Sequence, residues 1–228
     1  MVTPTETQTA TLRDKIGKLL TNRVGTAVEM LGAALVLIFY LTPLIILFAW
    51  LSLWLRRIGW RAVGLGRPSR WMSTVVLGVV IGILWPFLDI FVIEQFLESL
   101  TGTQVDLSSL ERIRGDPTTY FIMLGIVWTW AAFGEEMIFR GYLLNRLSNL
   151  LGESKAGWTT AVIIVSVCFG LAHAYQGITG ILETAYVAAV LGFIYLATHR
   201  NLWLPIIVHG VYDTVGITLI FMDLYPSF

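Results

Sequence analysis

Residues 118–140 read TTYFIMLGIVWTWAAFGEEMIFR, an apolar run that ends on two adjacent glutamates, with an arginine four residues beyond the second. A helix needs about 20 such residues to cross the hydrocarbon core of a bilayer. The run is too continuous for the alternating strands of a membrane barrel. A charged group at that depth is costly, so Glu135 and Glu136 point to a cavity, a proton path or a substrate site, not to a lipid-facing surface.

The rest of the chain reads the same way. Apolar stretches cover residues 24–55, 71–95, 158–174, 181–198 and 202–222. Of 228 residues 56% are hydrophobic and only 13% charged, and the mean hydropathy is +0.75. Soluble proteins carry about 25% charged residues. Within lipid the backbone must satisfy its own hydrogen bonds, which leaves helices. The expected fold is all-α: a polytopic transmembrane helical bundle of about six to eight membrane helices around a central intramembrane cavity.

Residues 1–23 are expected to form a cytoplasmic or interfacial N-terminal tail, with Leu12, Ile16, Leu19 and Leu20 on one helical face. Residues 24–228 read as one integral membrane domain. Its first stretch, 24–55, is too long for one span and too short for two, and Thr42-Pro43 would kink it. A bent or hairpin-like element is expected there. Zero net charge argues against an acidic partner, nucleic acid included. The single cysteine, Cys168, has no partner for an intrachain disulfide and reads as a small buried hydrophobe. Arginines and lysines of residues 56–70 and 146–155, together with Arg200, fall on one side if the spans alternate. Glu98, Asp106, Glu111 and Asp116 fall on the other.

Three short blocks carry ionisable groups inside apolar runs: Glu135 to Arg140, Phe169 to His173, and His209 to Asp213. Counted at 1.5 Å per residue from the cationic side, Glu135 lies roughly 16 Å deep, His173 roughly 22 Å and His209 roughly 12 Å. All three depths allow one shared cavity. Glu136 and Arg140 stand i, i+4 and are expected to pair. Glu135, about 100° further round an α-helix, is then free to face the cavity as a general base. His209 and Asp213 are also i, i+4, so the carboxylate can orient the ring or join a metal site. His173 and His209 with Glu135 or Asp213 would make a two-histidine, one-carboxylate set of the kind that holds catalytic zinc. Spacing leaves metal-bound water and a Glu/His-activated water equally open. His199, beside Arg200, reads as a solvated interfacial residue. Glu29 and Asp89 read as carboxylates that pair or snorkel, and Glu183, one turn into a span, is within reach of the cavity.

The ordered set Glu-Glu-x-x-x-Arg, Phe-x-x-x-His and His-x-x-x-Asp, with Phe139 and Gly141 in place, resembles the CPBP intramembrane proteases. This family is also called the Abi or CAAX protease family, and the resemblance spans residues 117–222. It implies an intramembrane (metallo)endopeptidase related to the type II CAAX prenyl endopeptidases and to bacteriocin-immunity proteins. The resemblance further implies that Glu135 activates a water with help from His173. Glu136, Arg140, Phe139 and Phe169 would support them, and His209 and Asp213 would meet the oxyanion. Many members carry Asn where this chain has Asp213, and an ionised Asp cannot donate to an oxyanion. The implied partners are the lipid bilayer and a peptide or membrane-protein substrate, lipidated ones included. The implied cofactor is a divalent metal such as zinc, and the implied setting is a prokaryotic cell membrane. Two other readings use the same residues: a non-catalytic membrane immunity or scaffold protein, and an ion-coupled transporter. The paired Gly/Pro-interrupted spans of a transporter are absent from the sequence.

Overall fold

The computed structural model describes residues 11–38 and 42–226, so the first ten residues of the expected tail lie outside them. All regular structure among the described residues is helical. The chain divides into two compact units, Met1–Gly59 and Trp60–Phe228.

The first unit holds α1 (Leu12–Thr21), α2 (Arg23–Ile38) and α3 (Thr42–Leu55). A capping box of Thr11 and Asp14 starts α1. Helices α2 and α3 pack as a hairpin in which Ser52 donates to the buried Glu29 and Gly32 faces the Phe48 ring. Helix α1 folds back onto the end of α3. A Cβ on Gly17 would lie 2.5 Å from the Leu55 carbonyl oxygen. Arg13 donates to the Trp54 carbonyl at 3.1 Å, and Arg57 pairs with Asp14 at 2.9 Å. The stretch 24–55 is therefore a hairpin of a 16-residue and a 14-residue helix, each shorter than the about 20 residues of a full span. A hairpin returns the chain to the side from which it entered. The basic groups of α1 thus meet those that follow α3, as the clustering of cations on one side requires.

The second unit holds five helical segments long and apolar enough to cross a membrane. The first is α4 (Trp71–Leu88), which continues through a π-helical turn at Asp89–Glu94 into α5 (Gln95–Thr101). After a 3₁₀ turn at Ser108–Ile113 comes α6 (Pro117–Ile126). It runs into two π-helical stretches, Val127–Glu135 and Met137–Leu144, and ends as α7 (Asn145–Leu151). A hairpin of α8 (Lys155–Ala172) and α9 (Gly177–Ala197) follows, and α10 (Trp203–Phe221) closes the unit. Large apolar side chains such as Leu84, Phe121 and Ile163 point outward and are exposed, as lipid-facing positions are in an integral membrane protein. Cys168, expected to be buried, is exposed in the same way; a thiol is as compatible with lipid as with a core.

Helix α10 lies against α4 at a seam of small residues. Cβ atoms on Gly78 and Gly82 would each stand 2.6 Å from side-chain atoms, of Ile207 and Val211 respectively. Beside the seam Trp85, Val187, Leu191, Leu204 and Val208 form one core cluster. The two ends of the unit are tied separately. At one end Tyr195 donates to the Val63 carbonyl at 3.0 Å, and the Leu202 N–H donates to the Gly64 carbonyl at 2.9 Å. Gly64 has a left-handed φ of +116°, and the Arg200 carbonyl would lie 2.6 Å from any Cβ placed there. At the other end Arg114 pairs with Asp223 at 2.9 Å. There also the Asp106 N–H donates to the Gln176 carbonyl at 3.0 Å.

Candidate active site

The two glutamates lie where the two π-helical stretches meet, and Glu136 separates them. A π-helix bonds i to i+5, so it holds more residues per turn than an α-helix, and such turns recur at functional sites. The α-helical angle of about 100° between Glu135 and Glu136 therefore does not apply here. The Glu136–Arg140 pairing expected from i, i+4 spacing is present nonetheless. Arg140 Nη1 donates to Glu136 Oε1 at 2.7 Å, with both side chains buried. Arg140 Nη2 also donates to the Ala188 carbonyl at 2.9 Å, which ties the π segment to α9. Asn145 spans the Arg140 and Gly141 carbonyls at 2.9 and 3.0 Å, so the wide turns end on a side-chain donor.

Glu136 is the hub. Its Oε1 also meets His209 Nδ1 at 2.9 Å, while its Oε2 is buried with no hydrogen-bond partner among the described residues. The other nitrogen of His209, Nε2, faces Asp213 at 3.4 Å. Spacing pointed to Asp213 as the group that orients the ring. The shorter contact, on Nδ1, comes from Glu136 on a different helix.

His173 is not inside a span. Its backbone N–H bonds the Gly170 carbonyl, which closes α8 one residue earlier. The Phe169 carbonyl, which would have accepted that N–H in a continuing α-helix, meets His173 Nδ1 at 2.9 Å. A carbonyl only accepts, so Nδ1 carries the hydrogen and Nε2 keeps its lone pair. The Phe169 ring stands at the middle of the constellation. It lies 4.6 Å from the His173 ring and 6.4 Å from the His209 ring, centroid to centroid. It meets Phe139 edge-on at 4.8 Å, and the Arg140 guanidinium sits 5.3 Å above it.

Glu135 is half-buried. It lies within the electrostatic reach of His209, Asp213, Glu136 and Arg140. Tyr175 shares the field of Glu135 and Asp213, and its ring is 5.8 Å from that of His173. In the sequence it is one residue of a short polar turn with nothing to mark it. His199 is exposed, as an interfacial residue would be.

Among the described residues no three His, Cys, Asp or Glu side chains are arranged to hold a metal ion. The set of His173 and His209 with Glu135 or Asp213 is not gathered into one such site: both nitrogens of His209 face carboxylates, while His173 holds Nδ1 on a carbonyl and keeps Nε2 free.

Residues 117–215 match the family described as Type II CAAX prenyl endopeptidase Rce1-like. No curated protein and no solved structure matches the chain. The matched segment contains both glutamates, both histidines and Asp213. Over this segment, a little under half of the chain, the protein is similar to that family.

Proposed function

With residues 117–215 matching the Rce1-like CAAX proteases, we propose that this protein hydrolyses a peptide bond inside the membrane by a water that Glu135 and His173 activate. The observation that carries this reading is the Nδ1 contact of His173 with the Phe169 carbonyl. It leaves Nε2 as an acceptor, while Glu136, the neighbour of Glu135 in the chain, is already paired with Arg140.

In the proposed reaction Glu135 takes a proton from the water and His173 Nε2 orients it. The water oxygen bonds to the scissile carbonyl carbon, and negative charge moves to the carbonyl oxygen. His209, with both nitrogens facing carboxylate oxygens, acts as the imidazolium and donates to that oxygen from Nε2 while Nδ1–H stays on Glu136. The contact between Nε2 and Asp213 is long, at 3.4 Å, and is the one the substrate displaces. Glu135 then returns its proton to the amine as the C–N bond breaks. Asp213 acts as a positioning group for His209, so the family's more usual Asn is not needed to donate. No step runs through a metal. We assign the substrate to peptides or membrane proteins, lipidated ones included, that reach the site from the bilayer, and the setting to a prokaryotic cell membrane.

The test is cleavage of a broad peptide library, with and without lipid modification, by the purified full chain. Glu135→Gln is expected to lower kcat by about 10²–10⁴, the usual worth of a general base, with thermal stability kept. A chelator is expected to leave the wild type unchanged. Full activity in Glu135→Gln would sink the mechanism, and loss of activity with the chelator would restore the metal. No cleavage by either form, on any peptide, would favour a non-catalytic immunity or scaffold role.

A further inference from the structure

A groove of about 550 Å³ lies between α4, the π-helical stretch Val127–Glu135 and α10, three segments of the membrane unit. Its walls are apolar or aromatic apart from Thr129, and the Thr129 hydroxyl is spent on the Gly125 carbonyl at 2.6 Å. A peptide laid there would bury amide groups against apolar walls, which is costly. A hydrocarbon chain would bring no such cost.

One end of the groove is different. Helices α4 and α10 run parallel, with Gly78 against Ile207 and Gly82 against Val211, so both begin at the same end. They begin at Trp71 and Trp203, whose rings meet edge-on at 5.1 Å. Tryptophan at the ends of membrane helices marks the headgroup level. From there the groove passes Val75 and reaches Val79, roughly 12 Å further along α4 at 1.5 Å per residue. Just ahead of Trp71 in the chain stand Arg67 and Arg70, both exposed. Neither forms an ion pair among the described residues. Cation, aromatic pair and apolar channel thus follow one another in the order of a phospholipid's phosphate, glycerol region and acyl chain.

We propose that this groove is a binding site for an anionic phospholipid of the surrounding bilayer, with one acyl chain between Val79 and Trp128 and the phosphate at Arg70 and Arg67. Two unpaired arginines at the headgroup level favour an anionic lipid over a zwitterionic one. The groove also touches the helix that carries His209. The Trp128 ring covers Gly210, where a Cβ would stand 2.7 Å from it. A seated chain braces that contact, so bound lipid stabilises the folded unit by mass action. The site is independent of the peptidase reading.

The test is a titration of the full chain in detergent, with bound lipid counted by native mass spectrometry and the melting temperature followed alongside. The probes are phosphatidylglycerol, phosphatidylcholine, glycerol 3-phosphate and the isoprenoid alcohol farnesol. Phosphatidylglycerol is expected to bind saturably and to raise the melting temperature, with phosphatidylcholine weaker by about fivefold or more. Arg67→Gln combined with Arg70→Gln is expected to erase that preference. Thr129→Trp, at an exposed position, fills the groove and is expected to weaken both lipids about tenfold. Should Thr129→Trp melt lower without lipid, phosphatidylglycerols of shortened chain on the wild type carry the test, each shortening weakening the binding. The proposal is overturned by absent saturable binding, by equal binding of the two lipids, by binding unchanged in the variants, by glycerol 3-phosphate binding as tightly as the lipid, or by farnesol displacing it.

Discussion

His173 is held by its own main chain, and that decides which of its nitrogens is available. The neutral ring has one N–H, and the Phe169 carbonyl takes it. His209 differs in that both nitrogens face carboxylate oxygens, Glu136 at 2.9 Å and Asp213 at 3.4 Å. The two histidines, equivalent in the sequence pattern, thus have different partners. A prediction follows for Asp213, where the family this chain resembles more often carries Asn. Asp213→Asn keeps an acceptor for His209 Nε2 and adds a donor. Its kcat/KM on a cleaved peptide is expected within about tenfold of wild type, whereas His209→Ala is expected to lose about 10²–10³. Equal, large losses in both would show that the charge on Asp213 is essential. At this scale much was legible in the sequence, because a charged side chain in an apolar run is conspicuous. The Glu136–Arg140 pair followed from i, i+4 spacing. The Glu136–His209 bond did not, since it joins residues 73 apart and no local pattern encodes such a pair.

The elements were legible in kind and less so in form. Long apolar runs announce helices. The π-helical stretches around Glu136 were not announced. They are a choice of backbone hydrogen-bond partner, and no side-chain period marks it. The end of α8 at His173 was hidden for the same reason, because the apolar run continues past it. Two predictions belong here. Gly82→Leu places a branched side chain where a Cβ alone would stand 2.6 Å from Val211. It is expected to destabilise the unit by about 1–3 kcal/mol, read as a lower midpoint of thermal unfolding in detergent. Asp116 caps α6 by accepting from the Thr118 N–H at 2.9 Å and the Thr119 hydroxyl at 2.7 Å. These bonds hold its carboxyl below the ordinary 3.8. A depressed carboxylate stabilises the native state above its unfolded value, and the contribution is lost as the pH falls through the native value. Stability should therefore decline below about pH 4 more steeply in the wild type than in Asp116→Asn, as followed by the unfolding midpoint against pH.

At the scale of the whole membrane unit the charges separate the two ends. Arg200 stacks over Trp158 at 5.1 Å, beside the Asn201 to Gly66 bond of 2.9 Å, so three basic connections share one end. A cavity lined by Glu94, Glu98, Asp106 and Glu111 occupies the other. In a background of Cys168→Ser, single cysteines at Glu153 and Asp223 are expected to react with an impermeant thiol reagent from opposite sides of a sealed vesicle, Glu153 from the cytoplasmic side. Reaction from one side would refute the five-span arrangement. This two-endedness was legible from the order of charged loops; the ties that enforce it, such as Tyr195 to Val63, were not. The bond between the Asp106 N–H and the Gln176 carbonyl makes one further point. Gln176 lies three residues past His173, and close by the Thr179 hydroxyl donates to the Thr103 carbonyl at 2.7 Å. The segment that walls this acidic cavity is thereby stapled to the turn that carries one histidine of the candidate active site. Glu135, Glu136, His209 and Asp213 ride on other helices. A pull on that outer segment, by an antibody or a tether, would act as a lever on His173 alone and throw the constellation out of alignment without touching it.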